Sequence, residues 1–337
     1  MGGPSGSGSR SGRSSGRGRS ERGPDSAPEP EALDLEAHLA HEIPHVEAAL
    51  ARAVDALRAS LARSLGDDAA AELGAAIQHG VTGGGKRLRP VLCAEAFAAC
   101  GGERSGELYD LCASIEMIHA YSLMHDDLPC MDDADLRRGR PTTHREHGED
   151  ATMRAGAVLI PAAALQVLRA ARALGCSEPR ARMVATRLLE AAGAGGMVGG
   201  QWLDLLGEGR ALGAVELGEL HRRKTGALLA ASLVVGATAA GADPDRIDAL
   251  EAYGRAIGLA FQIADDILDA TESAEALGKN PSDAALDKST YVGLYGLDEA
   301  RAHAREQSRA ALAALESAGI DAPALRALAA YVVERGR

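Results

Sequence analysis

The chain has 337 residues, a net charge of −12 and an apolar fraction of 46%, with aromatic residues at only 3%. The acidic balance argues against nucleic acid as a partner, and no run of about eighteen apolar residues indicates a transmembrane span. Alanine and leucine dominate, which favours an all-helical core. Five cysteines without a CxxC pair predict reduced thiols and a cytoplasmic protein.

Residues 1–31 consist mainly of Gly, Ser, Arg and Pro. This tail is predicted to be disordered, because it buries too little apolar surface to offset its ordering entropy. Its arginines and serines also fit a transit peptide, although glycine and proline disfavour the amphipathic helix that such a peptide needs. Residues 32–337 are predicted to form one helical domain.

Apolar residues recur at helical spacing throughout that domain, and no strand alternation or hairpin signal interrupts them. About ten helices fit this pattern, more than an ordinary four-helix bundle contains, so some must surround a central core or cavity. The clearest predicted helices are 46–65, 88–100, 107–128, 150–174, 178–193, 214–239, 244–270, 297–318 and 323–334.

Two aspartate clusters stand out within the helical pattern. The first contains Asp126, Asp127, Asp132, Asp133 and Asp135, and the second contains Asp265, Asp266 and Asp269. Clustered carboxylates at the end of an apolar helix repel one another and are costly to desolvate, unless a hard cation neutralises them. Mg²⁺ prefers oxygen ligands and commonly bridges carboxylates to substrate phosphates. A solvated acidic loop is the alternative for either cluster taken alone.

Basic residues follow a glycine-rich stretch at residues 80–90, GVTGGGKRLRP. It nearly matches a Walker A loop, but Arg87 stands where Ser or Thr is needed and the preceding segment is helical. Instead, the glycines allow a close approach to an anion on which Lys86, Arg87 and Arg89 converge; a solvated basic loop is the alternative. His119 shares a helix face with Ser122 and Asp126, which allows a phosphate-binding role.

Two further segments place polar groups against helices. Lys224-Thr225-Gly226 lies inside a helical pattern, and a bend there would free a carbonyl and turn the Thr225 hydroxyl inward. In residues 196–204, GMVGGQWLD, the glycines indicate close helix packing, with Gln201 as a polar group among apolar ones. An unbent helix with a tolerated glycine is the alternative at Gly226.

Taken together, these segments resemble the trans-isoprenyl diphosphate synthases, and most closely the bacterial farnesyl type. The matching segments are GGKRLRP (84–90), IEMIHAYSLMHDDLPCMDDADLRRGRPTTH (115–144), GMVGGQ (196–201), KTGALLAAS (224–232), FQIADDILD (261–269) and GKNPSDAALDKSTY (278–291). The resemblance implies an all-α fold around a deep central cavity, a homodimer and the cofactor Mg²⁺. The implied reaction condenses isopentenyl diphosphate with dimethylallyl or geranyl diphosphate, mainly to farnesyl diphosphate.

The resemblance also implies roles for individual residues. The implied metal ligands are Asp126, Asp127, Asp132, Asp265, Asp266 and Asp269. Isopentenyl diphosphate would be bound by Lys86, Arg89, His119 and Arg138, and the allylic diphosphate by Arg137 and Lys224. Thr225 and Gln262 would line the path of the allylic cation, and Lys288 would close over the diphosphate from a loop. Catalysis would depend on Asp126, Asp127, Asp132, Lys224, Thr225, Gln262 and Asp265.

Product length is expected to depend on Tyr121, with Ser122 beside it. Tyr121 lies five residues before Asp126, roughly 7.5 Å along a helix axis, where its ring would form the floor of the chain pocket. In the family, an aromatic residue here together with the insertion Pro129-Cys130 is typical of farnesyl synthases. Tyr121 as an ordinary core residue, and a geranylgeranyl product, are the alternatives.

Two departures from the family pattern lie near the implied lid. The loop from Lys279 to Lys288 is one residue shorter than usual, and Val292 replaces a familiar proline. A class I terpene cyclase or a non-catalytic synthase subunit could share the fold. The cyclase would not need the second diphosphate site, and such subunits usually lose an aspartate motif that this chain retains.

Overall fold

A computed structural model describes residues 1–2, 33–271 and 289–334. Most of these residues are helical, which confirms the predicted all-α class. The α-helices are α1 (Leu35–Leu65), α2 (Asp67–Val81), α3 (Leu88–Ala99), α4 (Gly106–Asp126), α5 (Thr143–His147), α6 (Glu149–Ala173), α7 (Glu178–Ala192), α8 (Met197–Gly207), α9 (Ala214–His221), α10 (Ala227–Ala240), α11 (Pro244–Thr271), α12 (Tyr291–Tyr295), α13 (Leu297–Ser317) and α14 (Pro323–Glu334). The predicted tail, apart from Met1 and Gly2, and the loop that carries Lys279 and Lys288 lie outside the described residues.

Side-chain caps fix where the long helices begin. Asp34 precedes α1 and accepts a hydrogen bond from the Ala37 amide at 3.1 Å, so α1 starts at Leu35 and not at the predicted residue 46. Ser105 likewise accepts from the Leu108 amide at the start of α4. These caps satisfy amide groups that otherwise lack partners in a first helical turn.

Helices α4 and α10 form the centre of the molecule, since each is buried on nearly every side. Helix α4 packs against α1, α3 and α6, while α10 packs against α3, α7 and α11. Glycines permit the closest contacts: a Cβ at Gly254 would lie 2.6 Å from the Ala230 Cα. The aspartate-bearing ends of α4 and α11 are therefore held by tightly packed helices.

The predicted helix over residues 214–239 is divided in two by a π-helical segment at Arg222–Gly226. A π segment has i→i+5 hydrogen bonds, which widen one turn of the helix, and such segments are frequent at functional sites. It confirms the predicted irregularity at Lys224-Thr225-Gly226. As a result, the side chains of this segment point in directions other than those they would take on a regular α-helix.

A short hairpin corrects the expectation that the chain contains no strand pairing. Strands β1 (Leu136–Arg137) and β2 (Arg140–Pro141) pair antiparallel through a turn at Arg138 and Gly139. Both turn residues have positive φ values, 55° and 74°, as a type I′ turn requires. Strands of two residues carry no alternation that periodicity could detect, so the sequence analysis missed them.

Candidate active site

The first aspartate motif begins in the last turn of α4. Asp126 and Asp127 are 7% and 3% exposed, because the helix that carries them is itself buried. The backbone then turns back, and the Asp132 amide donates to the Asp126 carbonyl at 2.9 Å. Burial raises the pKa of both the Asp126 and the Asp127 carboxyl, and the neighbouring Asp132 carboxylate adds to this rise. A divalent cation here would favour their ionised forms.

The hairpin positions Arg137 against this motif. Its Nε lies 2.8 Å and 2.9 Å from the two Asp127 carboxylate oxygens, and Nη2 lies 2.5 Å from one of them. Such a planar, forked pair fixes both partners. Arg137 is therefore beside the metal-ligand candidates, where the implied contact with the allylic diphosphate requires it.

The π-helical segment brings Lys224 to the other aspartate. The Lys224 ammonium lies 3.3 Å from Asp126 and 2.6 Å from Asp204, both measured to carboxylate oxygens. Burial by itself lowers the pKa of Lys224, but the surrounding carboxylates outweigh this effect and the net pKa is raised. Lys224 is thus held in its charged form next to the first motif.

Asp204 is a site residue that sequence reasoning missed. It lies on α8, three residues after Gln201, so that the two share a helix face. The signal was in the segment GQWLD, where two polar residues at this spacing follow packing glycines. Gly200 lets α8 approach the π segment closely, since a Cβ there would lie 2.8 Å from the Arg223 carbonyl carbon.

Thr225 joins the π segment to the second motif. Its hydroxyl donates to the Gln262 side-chain oxygen at 2.7 Å. Gln262 lies on α11 one turn before Asp265 and Asp266. A Cβ at Gly258 would lie 2.8 Å from the Gly226 Cα, so the two backbones are almost in contact. Lys224, Thr225 and Gln262 therefore connect the two aspartate motifs.

The three aspartates of the second motif have different surroundings. Asp265 and Asp269 lie one turn apart on α11 and are half-buried. Asp266 is buried, and its carboxylate accepts a hydrogen bond from the Tyr291 amide at 2.7 Å. Asp266 thus caps the start of α12, a structural contact that sequence reasoning did not foresee, and its metal role stays a prediction.

Three of the four groups expected to bind isopentenyl diphosphate lie together. Arg89 Nη1 donates to His119 Nε2 at 3.2 Å, and the buried Arg89 Nε has no hydrogen-bond partner within the part of the chain that the structure describes. Burial, reinforced by Arg89 and Arg138, holds the pKa of His119 well below its usual range. Arg138 donates to the Gly84 carbonyl, and its guanidinium packs against Gly85. Lys86 is exposed and lies over the Tyr331 ring, 5.8 Å from its centroid.

Arg87 does not converge on an anion with its neighbours, contrary to expectation. Its guanidinium is buried and donates to Glu47 at 2.6 Å, to Glu116 at 2.7 Å and to the Val81 carbonyl at 3.0 Å. The left-handed backbone at Arg87, with φ 45°, turns it away from the glycine loop. Arg87 is a structural ion-pair residue of the core.

Asp133 and Asp135, for which no ligand role was predicted, both pair with Arg145. The distances to its guanidinium are 3.2 Å and 2.6 Å. These exposed pairs tie the loop after Asp132 to α5. Lys288, the expected lid residue, lies outside the described part of the chain.

The residues around Tyr121 and Ser122 link α4 to its neighbours. Tyr121 is 4% exposed, and burial raises the pKa of its hydroxyl to about 12. Ser122 donates to the His119 carbonyl at 2.8 Å, and its own carbonyl accepts from Gln201 at 3.1 Å. The Gln201 side chain thus has a hydrogen-bond partner where α8 packs on α4.

The donor set fits Mg²⁺, since both motifs offer carboxylate oxygens and no softer ligand. Among the described residues, one group of histidine and acidic side chains brings its possible ligand atoms within 4.8 Å of one another. This group is His38, Glu42 and Glu95, and it belongs to neither aspartate motif. Arg104 pairs with both of those carboxylates, which makes the trio an ion-pair network. Mg²⁺ keeps several waters and shares substrate phosphates, so the motifs need not converge on one point.

A cavity of about 160 Å³ lies apart from these groups, between α7, α10 and α11. Its lining includes Gly226 but none of the predicted site residues. Three of its charged groups are already paired: Arg222 with Glu219, and Arg255 with Glu251, which also lines the cavity. The candidate active site is therefore the group of residues around the aspartate motifs and not this cavity.

Comparison with known proteins identifies the class. A family model described as polyprenyl synthetase matches residues 70–325. The chain therefore belongs to the polyprenyl synthetase family and is a prenyltransferase of isoprenoid biosynthesis. This confirms the resemblance to trans-isoprenyl diphosphate synthases.

Individual relatives differ in the product that their names give. The farnesyl diphosphate synthase of Escherichia coli (strain K12) is 42% identical over 266 residues, covering 77% of this chain and 88% of that protein. The chloroplastic geranylgeranyl pyrophosphate synthase of Catharanthus roseus is 42% identical over 262 residues, covering 77% and 72%. A Helicobacter pylori geranyltransferase solved with magnesium and isoprenyl diphosphate aligns with a TM-score of 0.69 at 33% identity, covering 78% and 87%.

Proposed function

We propose that the protein condenses isopentenyl diphosphate with dimethylallyl or geranyl diphosphate and releases mainly farnesyl diphosphate. The observation that supports this most is the arrangement of charges. Two aspartate motifs are linked through Lys224, Thr225 and Gln262, and a separate basic group contains Arg89, His119 and Arg138. One enzyme with two diphosphate substrates needs both an acidic, metal-binding side and a metal-free basic side.

The reaction follows from these charges. Asp126, Asp127 and Asp265 would hold Mg²⁺, and the bound ion would supply positive charge to neutralise the allylic diphosphate. Lys224 and Arg137 stabilise the pyrophosphate as the allylic C–O bond breaks. The double bond of isopentenyl diphosphate then attacks the allylic cation, forming the new C–C bond, and one proton is lost, in the family scheme to the released pyrophosphate.

The basic group holds the second substrate in place. Because His119 is neutral at its depressed pKa and accepts from Arg89 at Nε2, its other nitrogen carries the proton and can donate to a phosphate oxygen. Thr225 and Gln262 face the path of the cation and offer it oxygen dipoles. Closely packed helices exclude the water that would otherwise quench the cation.

Product length is the finer part of the proposal. Tyr121 is buried on α4 five residues before Asp126, where a ring can stop the growing chain. A C20 product is the second candidate, because several relatives carry the name geranylgeranyl pyrophosphate synthase. A terpene cyclase is disfavoured, since it has no use for the basic group around Arg89.

The test uses purified protein with Mg²⁺, labelled isopentenyl diphosphate and, separately, dimethylallyl, geranyl and farnesyl diphosphate. We expect C15 product from the first two starters and little elongation of the third. Substantial C20 would support the second candidate. Cyclised hydrocarbon without condensation, or no condensation with any starter, would contradict the proposal. Chelation by EDTA should abolish turnover, and added Mg²⁺ should restore it.

We also propose that the protein is a homodimer joined through α6. Exposed apolar residues follow one side of this helix, including Met153 at 45%, Ile160 at 39% and Leu165 at 53%. By length and composition, α6 is the one described helix that could cross a membrane, yet under half of its most apolar window is buried. A second copy of the chain would cover this stripe, in line with the homodimer implied by the family resemblance.

Light scattering after gel filtration tests the dimer. Ile160→Glu should shift the mass toward the monomer, because a charge at a packed interface is costly. Val215→Glu is the matched control, since Val215 is an 86% exposed residue of α9 outside the stripe. A wild-type monomer would contradict the proposal.

A cytoplasmic location is likewise proposed, supported by five free cysteines.

A further inference from the structure

The position of the Tyr121 ring depends on two residues that have no assigned role. His125 follows Tyr121 by one helical turn, and their rings meet edge to face with centroids 5.8 Å apart. Within the described part of the chain, the Tyr121 hydroxyl makes no hydrogen bond, so packing alone sets the ring position. His125 is therefore a direct support of the proposed chain-length stop.

His125 is itself fixed by α6. Its Nε2–H donates to the Met153 carbonyl at 3.1 Å, which sets both the tautomer and the orientation of the imidazole. Directly beneath the imidazole is Gly156, one turn further along α6. A Cβ at Gly156 would lie 2.9 Å from Cε1 of His125 and closer still to Nε2 and Cδ2. Only glycine leaves room for the imidazole in this position.

We propose that His125 and Gly156 are specificity-determining positioning residues, which hold the Tyr121 ring where it limits product length. The inference rests on the proposed function, because it concerns the length of a prenyl product. Replacing Gly156 by alanine must displace the imidazole, break the bond to Met153 and remove the edge-to-face support of Tyr121. Tyr121 then occupies other positions, and longer chains can pass.

The test is the ratio of C20 to C15 product in Gly156→Ala, with geranyl diphosphate as starter. We expect a rise of roughly two- to tenfold, the range that loss of one edge-to-face ring contact implies. Gly106→Ala is the matched control, because Gly106 lies on α4 with open space around its Cβ position. That variant should keep the wild-type ratio.

A double mutant separates positioning from general damage. In a Tyr121→Ala background, Gly156→Ala should not raise the ratio further, because the ring it would release has been removed. Should Gly156→Ala fail to fold, His125→Asn removes the same ring contact without a new atom on α6, and it should raise the ratio alike.

Two outcomes are distinguishable. If wild-type protein makes no prenyl diphosphate, the proposed function fails before the variants are compared. The inference alone is overturned if wild-type protein elongates and Tyr121→Ala lengthens the product, while Gly156→Ala or His125→Asn leaves the ratio at the Gly106→Ala value. Additive effects of Gly156→Ala and Tyr121→Ala would also overturn it.

Discussion

The two aspartate motifs solve the problem of buried like charges in different ways. In the first, Asp126 and Asp127 each contact a cation from another element, Lys224 and Arg137 respectively. In the second, Asp266 contacts a backbone amide, which leaves Asp265 and Asp269 on the less buried face of α11. The first motif therefore combines candidate metal ligands with two cations that we expect to hold phosphate, whereas in the second motif one carboxylate also serves as a structural cap.

The largest expected effect comes from neutralising one carboxylate in either motif. Asp126→Asn and Asp265→Asn should each lower kcat by about 10²–10³-fold, as loss of one group that stabilises developing charge typically does. The first should also release Lys224 from one of its two partners. Steady-state kinetics over a range of Mg²⁺ concentrations measure kcat for both variants. An Asp265→Asn enzyme with wild-type kcat would remove the second motif from the proposed site.

A smaller effect is expected at Asp204, which pairs with Lys224 from α8. In Asp204→Ala the Lys224 ammonium loses its closer partner, a charge-assisted bond worth about 1.5–3 kcal/mol. We expect KM for the allylic diphosphate to rise by roughly tenfold or more, with KM for isopentenyl diphosphate unchanged.

The control for Asp204 is Asp150→Ala, a change at a carboxylate on α6 whose side chain is 81% exposed. It should leave both constants as they are. Equal increases in both KM values for Asp204→Ala would indicate general disruption of the site and would contradict a specific positioning of Lys224.

The cap at Asp266 should appear in stability before it appears in catalysis. Asp266→Ala leaves the Tyr291 amide without its acceptor and should lower the free energy of unfolding by about 1–3 kcal/mol. Asp266→Asn retains an acceptor oxygen and should recover most of that loss. Urea unfolding followed by circular dichroism measures both variants. If Asp266→Ala and Asp266→Asn are equally stable, the hydrogen bond from the Tyr291 amide contributes nothing measurable.

The sequence predicted the helices, the grouping of the aspartates and an irregular helix at Lys224, because each leaves a local signal: periodicity, clustered charge or a glycine in a helix. Residue chemistry alone grouped Arg87 with Arg89 on one anion, although the family resemblance gave a binding role only to Arg89. These residues are two positions apart and chemically identical, but the left-handed backbone at Arg87 directs its side chain to Glu47 and Glu116. That choice depends on where α1 and α4 pack, which the local sequence does not encode.

The same limit applies to Asp204, Asp266 and Gly156. Their roles are set by partners 20, 25 and 31 positions away in the chain: Lys224, Tyr291 and His125. The short β1–β2 hairpin was missed for a different reason, since only its positive-φ turn marks it. Contacts between distant elements, more than local conformation, are what the structure adds.

The smallest expected effect is on the pH dependence of stability. It involves His119, which lies on α4 two turns before Asp126. Burial and Arg89 depress its pKa in the folded protein, so the unfolded state takes up the proton first. The stability that neutral His119 contributes is therefore complete above its unfolded pKa, about 6.5, and is lost as pH falls below that value. His119→Gln keeps an acceptor for Arg89 but cannot be protonated. Between pH 7.5 and 5.5, roughly one unit on either side of that pKa, its free energy of unfolding should fall less steeply than that of the wild type. Equal slopes would mean that His119 has the same pKa in the folded and unfolded protein, which would contradict its depressed pKa in the folded state.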